Sequence, residues 1–471
     1  MRLFNTLTRQ LENIQPLDGK AFRIYSCGPT VYDYAHIGNL SAYVFADTLR
    51  RAATWEGHAP LHVMNYTDID DKTIRRSRQD YPNDEPETAL RALTDMYIQF
   101  FMEDMRAVGN DTEAITFVRA TDTIGEMQEL ITRLYEQKFA YVADDGVYFS
   151  IKAYTDSGKT YGQLSEITVS STSESRVNND EYDKESANDF ALWKIQKDGE
   201  PAWDFTLDDK QLRGRPGWHI ECSAMSRRAL GQPFDIHTGG IDLIFPHHEN
   251  EIAQSTAGND NSVMATCFAH NNHILVDNKK MAKSAGNFYT LQDIRKRGYD
   301  PLAFRMLVLQ SHYRSATNFT WENLEAAGNR LSNWRKICDL RHQSADSGAA
   351  VFTDSYLEAH ANILRQALHD DLDTVTALKE IDVVMNDFTI ASRNEQDVSN
   401  FTEYLHVVEG LTGIPLLSKD ISEDAKKLLS EREEARNNKD WNMSDEIRDN
   451  ALQALGIGVD DTPHGQLWYW L

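Results

Sequence analysis

The sequence predicts an α/β protein that opens on a parallel sheet and continues into a long helical region. Three observations carry this. Residues 22–26, FRIYS, read as a strand ending at the turn-forming Cys27-Gly28-Pro29-Thr30. Phe45, Leu49, Ala52 and Ala53 then recur at i, i+4, i+7 and i+8, the apolar face of a helix that opens near Gly38-Asn39 and runs to about Gly57. Residues 61–66, LHVMNY, form a second strand. Strand, helix and strand in this order begin a parallel sheet, whose ligands sit beyond the carboxyl ends of its strands. Cys27 and Thr67-Asp68 fall at two such ends.

The remaining elements follow in order. Residues 71–140 read as mostly helical, and 139–151 as a strand or hairpin. The Ser-, Glu- and Asn-rich stretch 170–188 reads as an exposed loop. Order returns with FALWK at 190–194 and a compact turn entering a helix at 214–225. An apolar strand covers 267–276, and a basic, Gly-containing loop covers 278–287. From about residue 291 the pattern is helical. Leu357, Leu364 and Leu368 share a face, Leu372 and Leu378 follow, and Asp354 or Ser355 is a candidate cap. Residues 342–350, HQSADSGAA, read as a linker, and a second change comes at 414–420. The tail from 430 is a charged helix pair broken at Gly456, closing on an aromatic strand at 467–470.

Composition bounds the class. The 471 residues are 41% hydrophobic and 26% charged, ordinary for a globular protein of two to four domains. No stretch is apolar enough to span a membrane, and the N-terminus lacks a secretory leader, so a cytoplasmic location is expected. The net charge of −25 argues against non-specific nucleic-acid binding by the surface as a whole. Basic clusters at Arg75-Arg76-Arg78, Lys279-Lys280-Lys283, Arg295-Lys296-Arg297 and Arg335-Lys336 leave room for a local basic face. The four cysteines, Cys27, Cys222, Cys267 and Cys338, are too scattered for short zinc-finger spacings. They are either buried small hydrophobes or thiolates gathered by folding.

Residues 235–255, DIHTGGIDLIFPHHENEIAQS, are the densest in chemistry. Gly239-Gly240 let backbone approach a ligand, and Pro246 suits a first helical position. His247 and Glu251 are then four apart on one helix face, able to share a divalent metal or simply to face solvent. Together with Cys27 and Cys222 they are groups that can surround zinc tetrahedrally, although spacing alone does not reveal such a site and Cys222 also suits plain core packing. His36-Ile37-Gly38-Asn39 at a helix start suits a phosphate. Lys280 and Lys283, with Gly286 behind them, suit a polyphosphate or a solvated turn.

In their order, these pieces resemble a class I aminoacyl-tRNA synthetase, and closely the cysteinyl-tRNA synthetases. The resemblance covers nearly the whole chain. YSCGPTVYDYAHIGN at 25–39, NYTDIDDK at 65–72, DFALWK at 189–194, RPGWHIECSAM at 215–225 and FPHHENEIAQS at 245–255 carry it. DDLDTVTAL at 370–378 and KDWNMSDEIRD and DTPHGQLW within 439–468 extend it. It implies a Rossmann-type parallel-sheet catalytic domain in two halves, 1–115 and 213–290, split by a connective insertion at 116–212. A stem-contact helical region at 291–345, a helical anticodon-binding domain at 346–420 and a small C-terminal domain at 421–471 would follow.

The resemblance also implies roles. Cys27, Cys222, His247 and Glu251 would hold one Zn2+, and the thiolate of the substrate L-cysteine would join them. Serine, a poorer ligand, would be rejected without editing. Thr67 and Trp218 would line the amino-acid pocket, and Asp242 would bind the ribose of ATP. His36, Gly38, Asn39, Lys280 and Lys283 would meet the rest of ATP, which carries Mg2+. Cysteinyl-adenylate would form by in-line attack on the α-phosphorus, and cysteine would pass to the terminal ribose of tRNA(Cys). A monomer is expected. His248 and Glu249 have no assigned role beyond orienting His247. Trp441, Trp468 and Trp470 are candidates to stack on anticodon bases, with core packing expected for at least two. Three departures stand out: Asn39 for a second motif histidine, Ala282 for the middle serine of the Lys-Met-Ser-Lys-Ser loop, and Thr238 for a turn glycine. Activity is expected despite them. The rival reading is a ligase that joins cysteine to an amino sugar.

Overall fold

The computed structural model describes residues 1–55, 57, 60–165, 176–177, 188–259, 263–281, 286–343, 353–393, 401–462 and 465–471. The chain divides into two compact units. The first comprises Met1–Gly298 with the short segments Tyr313–Asn318 and His369–Leu372, and the second comprises the rest.

Unit one is built on five parallel strands: β1 (Arg23–Ser26), β2 (Leu61–Tyr66), β3 (Ile115–Arg119), β8 (Phe234–Gly240) and β9 (Ala265–Asn271). They lie in the order β9-β8-β1-β2-β3. Helix α1 (Ile37–Trp55) links β1 to β2 and buries Phe45, Leu49, Ala52 and Ala53, the residues its periodicity selects. Burying each large side chain contributes roughly 1.5–3 kcal/mol. β1 lies between β2 and β8: the chain moves outward from it through β2 to β3 on one side and returns later as β8 and β9 on the other. The carboxyl end of β1 is the switch point where such sheets open a crevice.

Helices α2 (Asp71–Asp80) and α3 (Pro86–Ala107) follow β2, and α4 (Ile124–Glu136) follows β3. The α2 start is locally encoded. Asp70 accepts from the Thr73 amide while Thr73 returns a bond to the Asp70 amide, a reciprocal cap. Between α4 and β8 sits an antiparallel sheet of β4 (Ala140–Val142), β5 (Gly146–Phe149), β6 (Asp189–Ile195) and β7 (Gly214–Pro216), with Arg176–Val177 added beside β6. Helix α5 (Trp218–Leu230) leads into β8, and α6 (Glu249–Gly258) leads into β9.

The stretch 71–140 is mostly helical as expected, with β3 inside it, five residues long and paired with β2, too short for periodicity to reveal. Two expectations change. The strand expected over 267–276 is two, β9 and Ile274–Val276. It breaks where the Asn272 side chain caps the His273 amide and the Asn272 amide bonds the Tyr313 carbonyl. Thr238-Gly239-Gly240 is not a turn but the end of β8, and the Thr238 hydroxyl bonds Ser26 Oγ at 2.6 Å. The loop expected over 170–188 lies outside the described residues except for 176–177 and 188, and most of the 342–350 linker does too.

Unit two is helical: α7 (Pro301–Leu309), α8 (Trp321–Asp339), α9 (Asp354–His369), α10 (Thr374–Arg393), α11 (Phe401–Thr412), α12 (Glu423–Asn437) and α13 (Trp441–Glu446). A hairpin of β10 (Ile457–Thr462) and β11 (Gly465–Trp470) closes it. Leu357, Leu364 and Leu368 are buried as their spacing implies. A separate small core of Ile421, Leu429, Ile447, Leu452, Ile457 and Trp468 holds the end of the chain. Of the three tryptophans noted above only Trp468 is buried. Trp441 is 55% exposed and Trp470 37%, so core packing accounts for one and not two.

Buried Asp235 ties β8 to the start of β1. It accepts from the amides of Leu17 at 2.6 Å and Arg23 at 2.7 Å. Asp235→Ala leaves both donors without their acceptor and is expected to destabilise unit one by about 2–3 kcal/mol, read as a lower urea midpoint.

Candidate active site

The carboxyl ends of β1 and β8 deliver the first groups. Cys27 follows β1, and its amide bonds the Thr238 carbonyl of β8 at 3.1 Å. Gly28 is required by contact: a Cβ there would lie 1.8 Å from the Asn65 carbonyl oxygen. Past β8, a short turn at Ile241–Leu243 leads to Phe245, which is extended, and Pro246 starts the helical run. His247 and Glu251 then share a face, with His247 Nε2 2.9 Å from Glu251 Oε1. Cys222, on the second turn of α5, is buried against them.

Cys27, Cys222, His247 and Glu251 each offer a ligand atom, and the four atoms lie within 4.8 Å of one another. A second set, Cys27, His237, His248 and Glu251, meets the same measure. The electrostatics distinguish the groups. Burial alone would raise the Glu251 carboxyl, but His237 and His247 hold it down at about 2. Burial would lower His247, yet the Glu251 carboxylate and the Cys222 thiol raise it to about 10. A hydrogen bond from Cys27 brings the Cys222 thiol down to about 6. Burial and the hydrogen bond to Cys222 push the Cys27 thiol well up, so Glu251, His247 and Cys222 are held charged while Cys27 is held neutral. Burial pushes His248 and His270 down, the latter to about 3, so both rings are neutral.

Three surrounding histidines, His219, His237 and His270, have no role assigned from the sequence, although His219 lies within 215–225 and His237 within 235–255. His219 Nδ1 lies 2.9 Å from His247 Nδ1, and His237 Nε2 lies 2.8 Å from Glu251 Oε2. His270 Nε2 lies 2.8 Å from His248 Nδ1, and His248 Nε2 is 3.3 Å from Cys27 Sγ. His248 thus touches Cys27, and it is His219 that contacts the His247 ring. A Cβ at Gly239 would lie 2.9 Å from the His248 ring, so the close approach expected there is to a protein side chain. Glu249 faces away: it accepts from the amides of Gly162, Leu164 and Ser165 and from the Ser165 hydroxyl.

A pocket of about 450 Å³ opens beside Cys27 and is lined by Trp218, His36, Gly38, Asn39, Asp242 and Lys280 among others. The Trp218 ring stacks on His247 at 4.2 Å. His36 Nδ1 accepts from the Asn39 amide at 3.2 Å, at the first turn of α1. A Cβ at Gly38 would lie 2.9 Å from the His36 ring. Asp242 and Lys280 are exposed. Thr67 is not in the lining. Its hydroxyl, 2% exposed as a residue, donates to Glu221 Oε2 at 3.0 Å. Lys283, with Ala282, lies outside the described residues.

Glu249→Gln weakens an acceptor that gathers four donors while leaving the cysteine, histidine and Glu251 side chains in place. A loss of about 1–3 kcal/mol in stability is expected, measured by urea unfolding.

The chain matches known proteins over nearly its whole length. Residues 13–329 match the model of the class I (C) tRNA synthetase catalytic domain, and residues 418–468 match that of the cysteinyl-tRNA ligase anticodon binding domain. A cysteine--tRNA ligase of Leptospira interrogans is 37% identical over 99% of both chains. One of Thermococcus onnurineus is 37% identical over 99% of this chain and 98% of its own. Among solved structures, the methionyl-tRNA synthetase of Mycobacterium tuberculosis aligns with a TM-score of 0.59 at 14% identity, covering 90% of this chain and 96% of that one, a likeness of fold. The chain belongs to the cysteine--tRNA ligases, within the class I tRNA synthetases.

Proposed function

We propose that the chain activates L-cysteine with ATP and passes it to the 3'-terminal ribose of tRNA(Cys). One observation carries the reading: four ligand atoms of the zinc-preferring kind, two sulfurs, an imidazole nitrogen and a carboxylate oxygen, converge beside a pocket that reaches the N-terminus of α1. The donor set fits zinc, and Cys27, Cys222, His247 and Glu251 would hold it. When bound, zinc supplies a soft Lewis-acid position that takes a thiolate sulfur in preference to a hydroxyl.

The chain's own residues do the rest. Trp218 braces His247 from one side and walls the pocket on the other. Thr67 acts from behind, holding Glu221 beside Cys222. The α1 N-terminus, with His36 and Asn39, attracts phosphate, and Gly38 lets it approach. Asp242 accepts the ribose hydroxyls. Lys280 and Lys283 counter the charge that builds as the cysteine carboxylate attacks the α-phosphorus and pyrophosphate leaves, with Mg2+ accompanying ATP. Positioning suffices, and no protein nucleophile is required. The match of 418–468 to an anticodon binding domain favours tRNA over an amino sugar as acceptor. A monomer in the cytoplasm belongs to the same reading. No helix among the described residues is long and apolar enough to cross a membrane.

Cysteine-dependent ATP–pyrophosphate exchange and charging of tRNA(Cys) test this directly. The parent protein should carry stoichiometric zinc, exchange with cysteine and not with serine, and remain active despite Ala282. Cys222→Ala and Glu251→Gln should each lose zinc and lower exchange by about 100-fold or more. Full zinc and full exchange in either variant would overturn the assignment.

A further inference from the structure

Helix α2 carries four cations in two turns, Lys72, Arg75, Arg76 and Arg78. Two are consumed within the fold. Arg76 pairs with Asp80, and Arg78 donates to the carbonyls of Asp198 and Gly199. The other two, Lys72 and Arg75, are three apart and so lie on one side of the helix. Neither has a carboxylate partner among the described residues. Lys72 lies with its ammonium 5.8 Å from the centre of the Tyr32 ring, and Arg75 is exposed.

Their setting is built. Asp71, between the N-cap and Lys72, is ion-paired to buried Lys194 of β6 at 3.2 Å and to buried Arg215 of β7. The first turn of α2 is therefore pinned to the inserted sheet, and its neighbour carboxylate is already committed to two other cations. Lys72 lines the pocket from that side, whereas His36, Asn39 and Asp242 line it around the start of α1 and the end of β8. Arg75, one turn further along α2, continues the positive side away from the pocket. On a chain of net charge −25, two neighbouring cations without a carboxylate partner among the described residues, one at a pocket wall and one outside it, mark a path for a polyanion.

We propose that Lys72 and Arg75 receive successive phosphodiesters of the tRNA acceptor end and guide its terminal ribose into the pocket. This rests on the function proposed above, with the roles divided: α1, Asp242 and the lysine loop serve activation, and the α2 side serves transfer. Half-buried Lys72 takes the phosphate nearest the terminal ribose, and exposed Arg75 takes one further out.

Separating the half-reactions tests the division. For Lys72→Met and Arg75→Ala, cysteine-dependent ATP–pyrophosphate exchange and single-turnover transfer from preformed adenylate to a cysteine tRNA transcript are measured on the full chain. The ratio of transfer to exchange should fall about tenfold in each. The dependence of tRNA binding on salt should flatten by about one ion per residue removed, and Lys72→Arg should restore transfer. Exchange falling in step with transfer would assign Lys72 to activation and overturn the proposal, as would an unchanged ratio and salt slope in both variants. Absence of exchange in the parent protein would instead defeat the underlying reading.

Discussion

The active end of this molecule depends on one buried carboxylate. Glu251 is fully removed from solvent and still ionised, because His237 and His247 meet its two oxygens at 2.8 and 2.9 Å. An isolated carboxylate at that depth would be driven to its neutral form. Its charge in turn raises His247, whose Nε2 it holds at 2.9 Å. A buried ion pair is weak evidence for stability, and removing one partner is costly because it strands the other. The cluster is better understood as a site maintained at some expense to folding.

The sheet supplies what the cluster cannot supply for itself, which is position. The ligands come from the end of β1, from α5, from the short helical run after β8 and from α6, and these meet because β8 lies beside β1 in the order β9-β8-β1-β2-β3. Gly28 and Gly239 sharpen the fit, since their missing side chains admit the Asn65 carbonyl and the His248 ring. The backbone next to Cys27 is thus held by contact on one side and by a hydrogen bond to Thr238 on the other.

Local features of this design were legible in the sequence. The His247/Glu251 spacing, the apolar face of α1 and the β-α-β opening are all encoded within a few residues, and they appear where periodicity implies. Cys27 and Cys222 are far apart and share no spacing rule, so the residues alone offered them as candidates and the resemblance to a family assigned them. His219 and His237 lie inside stretches singled out for other residues and His270 outside them, and all three sit on buried elements. Nothing in their neighbours distinguishes a site histidine from a packed one. Strand β3 was hidden for a related reason: its five residues become a strand through pairing with β2, a tertiary event. Thr67 shows the converse, since an apt position at a strand end does not say which way a hydroxyl turns.

The sheet of β4 to β7 interrupts the main fold between β3 and β8, and such interruptions are usually regarded as accessories. Here the dependence runs the other way. Two carboxylates of the host, Asp71 and Glu249, have their partners inside the interruption, in Lys194 and Arg215 for one and in the 162–165 backbone for the other. Excision would strand both charges at once, one at the start of α2 and one two residues before Glu251. The interruption is therefore no detachable module. A domain transplanted from a relative into this place would have to bring matching cations and matching amides with it.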